Sequence, residues 1–339
     1  MTTFAVPNEL AAGEPPEARG LPRDHVRLLV ATTSGIDHAR FDEIDRFLDP
    51  GDLLVVNTSG TLPAAVNGRI GDQELDIHFS TALDDGSWAI ELRMQDRSGP
   101  FLDARPGQIV EVPDARIELV EGYPDAVKFG RLWRARIETK GSVLGYLARH
   151  GHPISYHYTK EQQPLSAYQT VFADVPGSAE MPSAARPFSE ALVTRLVTRG
   201  VSFAPIVLHC AVSSLETGEA PLPERFEVPA STARAVNRAL ASGSRVVAVG
   251  TTVTRALESA SEPSGLVRPA RGWTELVVGR DHPPRVVQGL ITGWHDPGAS
   301  HLLLLEAVAG AETVQRAYDE ALAHRYLWHE FGDSCLLLP

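Results

Sequence analysis

Between Leu62 and Glu138 the chain carries short runs in which apolar and polar residues alternate, and no convincing helical spacing interrupts them. ELDIHFSTAL, SWAIELRMQ, GQIVEVPD, ARIELVEG and LWRARIE are separated by Gly, Pro, Asp and Ser turns. Five or six short strands at this spacing predict a small antiparallel barrel or sandwich. Outside that stretch the texture changes. Asp52 to Asn57 (DLLVVN) and SRVVAVG are near-continuous apolar runs of strand length, the pattern of strands covered on both faces. VSFAPIVLHC and RVVQGLITG read as further strands, and Val26 to Ala31 as a strand entered from a proline-rich arm. FDEIDRFLD, SVLGYLARHG, SEALVTRLVTRG, STARAVNRALASG, TTVTRALESA, GASHLLLLEAVAG and ETVQRAYDEALAHRYLW have helical periodicity. Strands alternating with helices predict a mostly parallel-sheet α/β domain, discontinuous over 1–61 and 141–339. The strand-rich segment 62–140 is expected as a second, inserted domain.

A chain of 339 residues, 43% hydrophobic, can bury cores of that size. No run approaches the ~18 apolar residues of a membrane span, and MTTFAVPNEL lacks the parts of a secretory signal, so a cytoplasmic protein without membrane contact is expected. Cys210 and Cys335, the only cysteines, have no ligand spacing and read as two buried thiols, which leaves no expected metal. The formal charge of −12 argues against broad attraction to a polyanion. The arginines around Arg195 and Arg199, and from Arg268 to Arg280, read as solvated faces or loops.

The sharpest local signal is SRVVAVG running into Thr251, Thr252, Val253, Thr254 and Arg255. A buried strand that turns at Gly250 into a helix offers free N–H groups beside hydroxyls, which suits a carboxylate or phosphate. A plain junction in which a threonine only caps the helix has the same sequence. His209 and His295 each follow a predicted strand, where α/β folds place ligands, and either imidazole could move a proton near neutral pH. Asp333 in EFGDS could orient a histidine or accept a ribose hydroxyl, or simply close a turn after Gly332.

Taken in order, DLLVVN…LPA…GR, AYQTVFADVPGS, MPSAARPFS, VLH, AVGTTVTRALESA, LITGWHDPGASHLLLLEAVAG and YLWHEFGDSCLLL resemble the S-adenosylmethionine:tRNA ribosyltransferase-isomerases of queuosine biosynthesis, almost end to end. The resemblance implies an α/β domain interrupted by a small β-barrel. It implies transfer of the ribosyl unit of S-adenosylmethionine to the aminomethyl group of a 7-deazaguanine in tRNA. Rearrangement to an epoxycyclopentane then releases adenine and methionine. No cofactor is implied, S-adenosylmethionine being the substrate. On the matched blocks, His209, His295 and Asp333 are the catalytic candidates. Asn57, Tyr168, Gln169, Thr170, Ser183, Phe188, Gly250, Thr251, Thr252, Arg255 and Glu258 are the substrate-binding candidates.

Several polar motif positions depart from the family pattern. Gly60 and Ala65 lie in a block where the family carries arginines, Pro187 stands for a histidine, Gly293 for an asparagine and Gly298 for a lysine. These losses and the acidic charge weigh against tRNA as a partner. Two alternatives therefore stay open: a diverged enzyme with a small-molecule acceptor, and a nucleoside-binding protein without catalysis. A monomer or small homo-oligomer is expected.

Overall fold

The computed structural model describes residues 2–127, 130–212 and 221–339. The apolar runs form the middle of a nine-stranded sheet. Leu53–Asn57 and Val246–Val249 are buried at every position, as their lack of alternation predicts. Leu53–Asn57 pairs in parallel with Ser202–Leu208 on one side and with Val246–Val249 on the other, and Val246–Val249 continues in parallel to Gly289–Thr292. Antiparallel pairs fill the margins: Glu224–Val228 and Ala270–Thr274 at one edge, Ser334–Leu338 beside Gly289–Thr292, and Ile36–Arg40 beside Arg27–Thr32 at the other edge. Helices cover both faces over two separate apolar cores. Cys210 and Cys335 are free buried thiols within the first of these.

Periodicity left four marginal strands unread. ARGWT is the edge strand, where one row of backbone groups has no strand partner and no apolar run is required, and ERFEV, paired on both sides, is only five residues long with three of them charged. RVVQGLITG is strand only over Gly289–Thr292. The N–H groups of Arg285, Val286 and Val287 go instead to the Glu258 carboxylate at 2.9, 3.0 and 3.0 Å. FDEIDRFLD makes a short 3-10 helix, Phe41–Arg46, closed by Glu43 accepting the Arg40 N–H at 2.9 Å. Arg195 and Arg199 are not free cations, since both pair with Asp45.

The alternating segment closes into a six-stranded antiparallel barrel in the order Leu132–Thr139, Trp88–Met94, Gln73–Ala82, Ala65–Ile70, Ile109–Val112, Ala115–Gly122. Its inward positions, among them Phe79 and Trp133, form a third core shared with Tyr146 and Leu147 of the helix Val143–His150. One buried ion cluster interrupts this core. Glu91, held down to about 2 despite the opposing effect of burial, sits with Arg131 at 2.7 Å and Arg93 at 2.9 Å. It also faces His78, which is pushed up to about 9: burial opposes the charge, and Asp76 and Glu91 outweigh it.

Entry to the barrel and exit from it are stitched together. Ala65 and His152 exchange N–H···O bonds of 2.9 Å in both directions. The preceding Gly151 presses against Pro63, whose carbonyl oxygen would lie 2.0 Å from an added Cβ. We expect Gly151→Ala to destabilise the protein by about 2 kcal/mol or more, because the nearest obstacles are backbone atoms. Urea denaturation should show it as a fall in midpoint without a change in slope.

Candidate active site

The parallel strands end at one edge of the sheet, and a cleft of about 550 Å³ opens there against the barrel and the segment 153–158. Val246–Val249 leaves the sheet through Gly250, whose φ of 103° is a conformation that a side chain would strain. The helix Thr251–Ser259 starts at once, and no side chain caps it. The threonine-cap alternative is thus absent, and Gly250, Thr251 and Thr252 line the cleft at the positive end of the helix. Ser183 and Tyr168 line it too, and the Tyr168 hydroxyl is buried with no protein partner among the described residues.

Arg255 reaches the cleft wall but is fully engaged. It pairs with the buried Glu224 and donates to the carbonyls of Leu276, Leu222 and Thr274 at 3.0, 3.2 and 3.2 Å. It therefore braces the helix against the sheet edge. Two of the four bonds tie it to the strands Glu224–Val228 and Ala270–Thr274 themselves.

His295 lies at the cleft, stacked on His301 with ring centroids 4.5 Å apart and planes 3° apart. Its Nε2 is 2.9 Å from the Thr292 hydroxyl. Burial first, and the neighbouring His301 second, push the His295 imidazole well below its ordinary range, while burial brings His301 down to about 4. Both rings are therefore neutral at neutral pH and able to accept a hydrogen bond.

The same cleft is lined by Tyr156, Tyr158 and Glu180 and, from the closing YLWHEFGDSCLLL block, by His329 and Glu330. Glu330, three positions before Asp333, is pushed up to about 7 by burial, even though Tyr158 donates to it at 2.7 Å. The Tyr158 ring stacks on His329 at 4.0 Å. Tyr156 donates to Glu180, and Arg93 lies over the Tyr156 ring at 5.7 Å. A carboxyl that titrates near neutrality in a cleft is the type of group that serves as a general acid or base. The Tyr-His-Tyr run at 156–158 forms a turn in which Thr159 N donates to the Tyr156 carbonyl at 3.0 Å, and the two tyrosine rings lie 5.9 Å apart.

Several predicted residues sit elsewhere. Asp333 orients no histidine: its carboxylate accepts from Arg27 N, Arg27 Nε, Arg27 Nη2 and Leu327 N at 2.8, 3.0, 2.7 and 2.8 Å. His209 packs on Gly177 and bonds Ser59 Oγ through Nδ1 at 2.7 Å, outside the cleft lining. Asn57 bridges strands by exchanging bonds with the backbone of Leu208 at 2.7 and 3.0 Å. Gln169 clamps the Thr61 backbone at 2.7 and 3.1 Å, and the Thr170 hydroxyl accepts from Phe172 N at 3.3 Å. Phe188 is a core residue packed edge-on to Phe41 and Phe172, and Glu258 holds 285–287 as described. These side chains hold the frame of the site rather than its lining.

Glu330 predicts a pH signature. Its folded-state value lies above the ordinary 4.5, so its contribution to stability is full below about 4.5 and is lost as pH rises through about 7. Glu330→Gln should flatten stability against pH across that window relative to the parent chain, read from urea midpoints at several pH values.

The comparisons with known proteins agree in covering nearly the whole chain. A family model described as queuosine biosynthesis protein matches residues 2–337. The chain is 33% identical over 352 residues to the S-adenosylmethionine:tRNA ribosyltransferase-isomerase of Acidiphilium cryptum, covering 98% of this chain and 97% of that relative. It is 32% identical to the enzyme of the same name from Aquifex aeolicus, covering 99% and 98%. Among solved structures it is similar to the S-adenosylmethionine tRNA ribosyltransferase of Thermotoga maritima, with a TM-score of 0.54, 27% identity and 99% of both chains covered. With the same sheet-and-barrel plan expected from its motifs and found in its fold, the chain belongs to the queuosine biosynthesis protein family.

Proposed function

We propose that this chain is a transferase-isomerase that uses S-adenosylmethionine as a ribosyl donor. It joins the ribosyl unit to the aminomethyl group of a 7-deazaguanine in tRNA and rearranges it to the epoxycyclopentane, releasing adenine and methionine. The observation that carries this reading is likeness over the full length to relatives named for that reaction. A small-molecule acceptor and a pocket without catalysis are disfavoured by the same likeness. The charge of −12 opposes only non-specific attraction to polyanions and leaves room for a specific tRNA contact. A tRNA acceptor implies a cytoplasmic enzyme, and no helix among the described residues is long and apolar enough to cross a membrane.

In this reading the segment 62–140 forms one unit, 1–61 with 141–339 forms the other, and the substrates sit between them. The uncapped start of Thr251–Ser259 suits the methionine carboxylate, since backbone N–H groups and the helix dipole both favour an anion. Glu180 and Glu330 stand where a sulfonium or an ammonium gains from nearby carboxylates. A sulfonium acidifies the adjacent C–H bonds and is a good leaving group, so the chemistry asks for a positioned base. Glu330, titrating near 7, is our candidate for it, and the neutral His295 serves as a hydrogen-bond acceptor on the cleft wall.

The enzyme should release adenine and methionine when given the donor and tRNA carrying the deazaguanine precursor, and not with unmodified bulk tRNA. Appearance of S-adenosylhomocysteine and methylated product alone would reject ribosyl transfer. Glu330→Gln should lower kcat by about 10²-fold or more with little change in donor binding, the usual loss for a general acid or base. An unchanged kcat would remove Glu330 from that role.

A further inference from the structure

On the far edge of the sheet, where Ile36–Arg40 is the last strand, three side chains outside the cleft converge: His38, Glu320 and His324. Glu320 lies in the last turn of the helix Ala311–Ala323, and His324 follows that helix directly, so spacing of four residues puts both on one side. His38 Nε2 lies 3.2 Å and His324 Nδ1 3.1 Å from the same Glu320 oxygen, Oε1. A tetrahedral ion with bonds of about 2.0–2.1 Å spaces its ligand atoms about 3.3 Å apart, so these separations are close to those of a coordination shell.

The hydrogen bonding behind His38 supports a cation at this point. The Tyr326 hydroxyl donates to the Leu28 carbonyl at 3.4 Å, and His38 Nδ1 lies 2.8 Å from the same hydroxyl. When the hydroxyl proton points to Leu28, Nδ1 of His38 is the donor and Nε2 is left with the lone pair that an ion needs. In that tautomer an ion between Nε2 and the Glu320 oxygen 3.2 Å away takes the place of the proton that otherwise joins them. An outer partner that fixes the tautomer is also what metal-binding histidines use. The nearby Arg27 cation, 4.2 Å above the Tyr326 ring, is offset by its pairing with Asp333 at 2.7 Å and holds the His324 carbonyl at 2.8 Å.

We propose that His38, Glu320 and His324 form a binding site for a divalent transition-metal ion of the zinc class, which ties the edge strand to the end of the C-terminal helix. Two imidazoles and one carboxylate favour zinc over magnesium or calcium, which prefer all-oxygen shells, and three ligands leave a position for water. The competing occupant of the gap is a proton. Titrating tag-free, full-length protein with Zn²⁺ by calorimetry at pH 8 should give one ion per chain and a Tm raised by several degrees.

His38→Ala, Glu320→Gln and His324→Ala should each weaken binding at least about tenfold, the low end of what loss of even a supporting partner costs at a metal site. His38 and Glu320 side chains are 36% and 38% exposed, so these changes should leave the metal-free Tm close to that of the parent chain. Co²⁺ should report the site independently through visible absorption of a low-coordinate ion. Absence of heat and of a Tm change in the parent chain would overturn the proposal. So would binding unaltered in all three variants, or equal binding of Mg²⁺.

Discussion

Gly250 holds the centre of the structure to its site. The strand before it lies in the parallel middle of the sheet, and the chain can enter the helix Thr251–Ser259 without a linker only by taking a φ of 103°. An added Cβ would meet that of Ala184 at 3.4 Å, an ordinary contact, so the backbone conformation and not the space calls for glycine. The consequence is a helix whose first N–H groups open on the cleft while its later turns are locked. Arg255 fastens one side through Glu224 and three carbonyls, and Glu258 fastens the other through three backbone N–H groups. A helix start fixed in this way is preorganised for an anion, which is the condition for binding it without a further ordering cost.

The barrel supplies the other wall through a device of different kind. Its buried Glu91 is balanced by His78, Arg131 and Arg93, and Arg93 also meets the cleft. Paired in this way, the arginine contributes shape and a weak field there rather than a full unscreened charge. Glu180 and Glu330 are each met by a tyrosine hydroxyl. A cleft lined by Glu180, Glu224, Asp296 and Glu330, with His295 and His301 neutral and its arginines engaged, suits a cationic substrate better than a bare phosphate. Gly293 and Gly298, where the resemblance implies asparagine and lysine, line this cleft, and Pro187, where it implies histidine, lines a small pocket that also touches Glu330.

Legibility from sequence divided along physical lines. Continuous apolar runs and strict alternation are one-dimensional records of burial, so the central strands, the helices and the barrel could all be read. The edge strand ARGWT lacked such a record because its outer row of backbone groups pairs with no strand and requires no apolar run. Among the site residues, Gly250 was legible because its requirement is a backbone conformation next to a strand and a helix. Asp333, His209 and Glu258 looked like chemistry because polar residues near strand or helix ends serve equally well as fasteners. Hydrogen-bond partners 6 to 306 positions away decide which, as Asp333 with Leu327 and Arg27 makes plain.

By itself the sequence determined the kinds of element, their order and the family, since periodicity and motif succession are properties of neighbours along the chain. Only the tertiary structure decided which polar groups are spent and which are available. It raised Glu330 to about 7, lowered His295 and His301, and occupied Arg255 and Asp333 with partners from distant strands and loops. The reason is that desolvation and hydrogen bonding depend on what surrounds a group in space, and proximity along the chain carries little of that information.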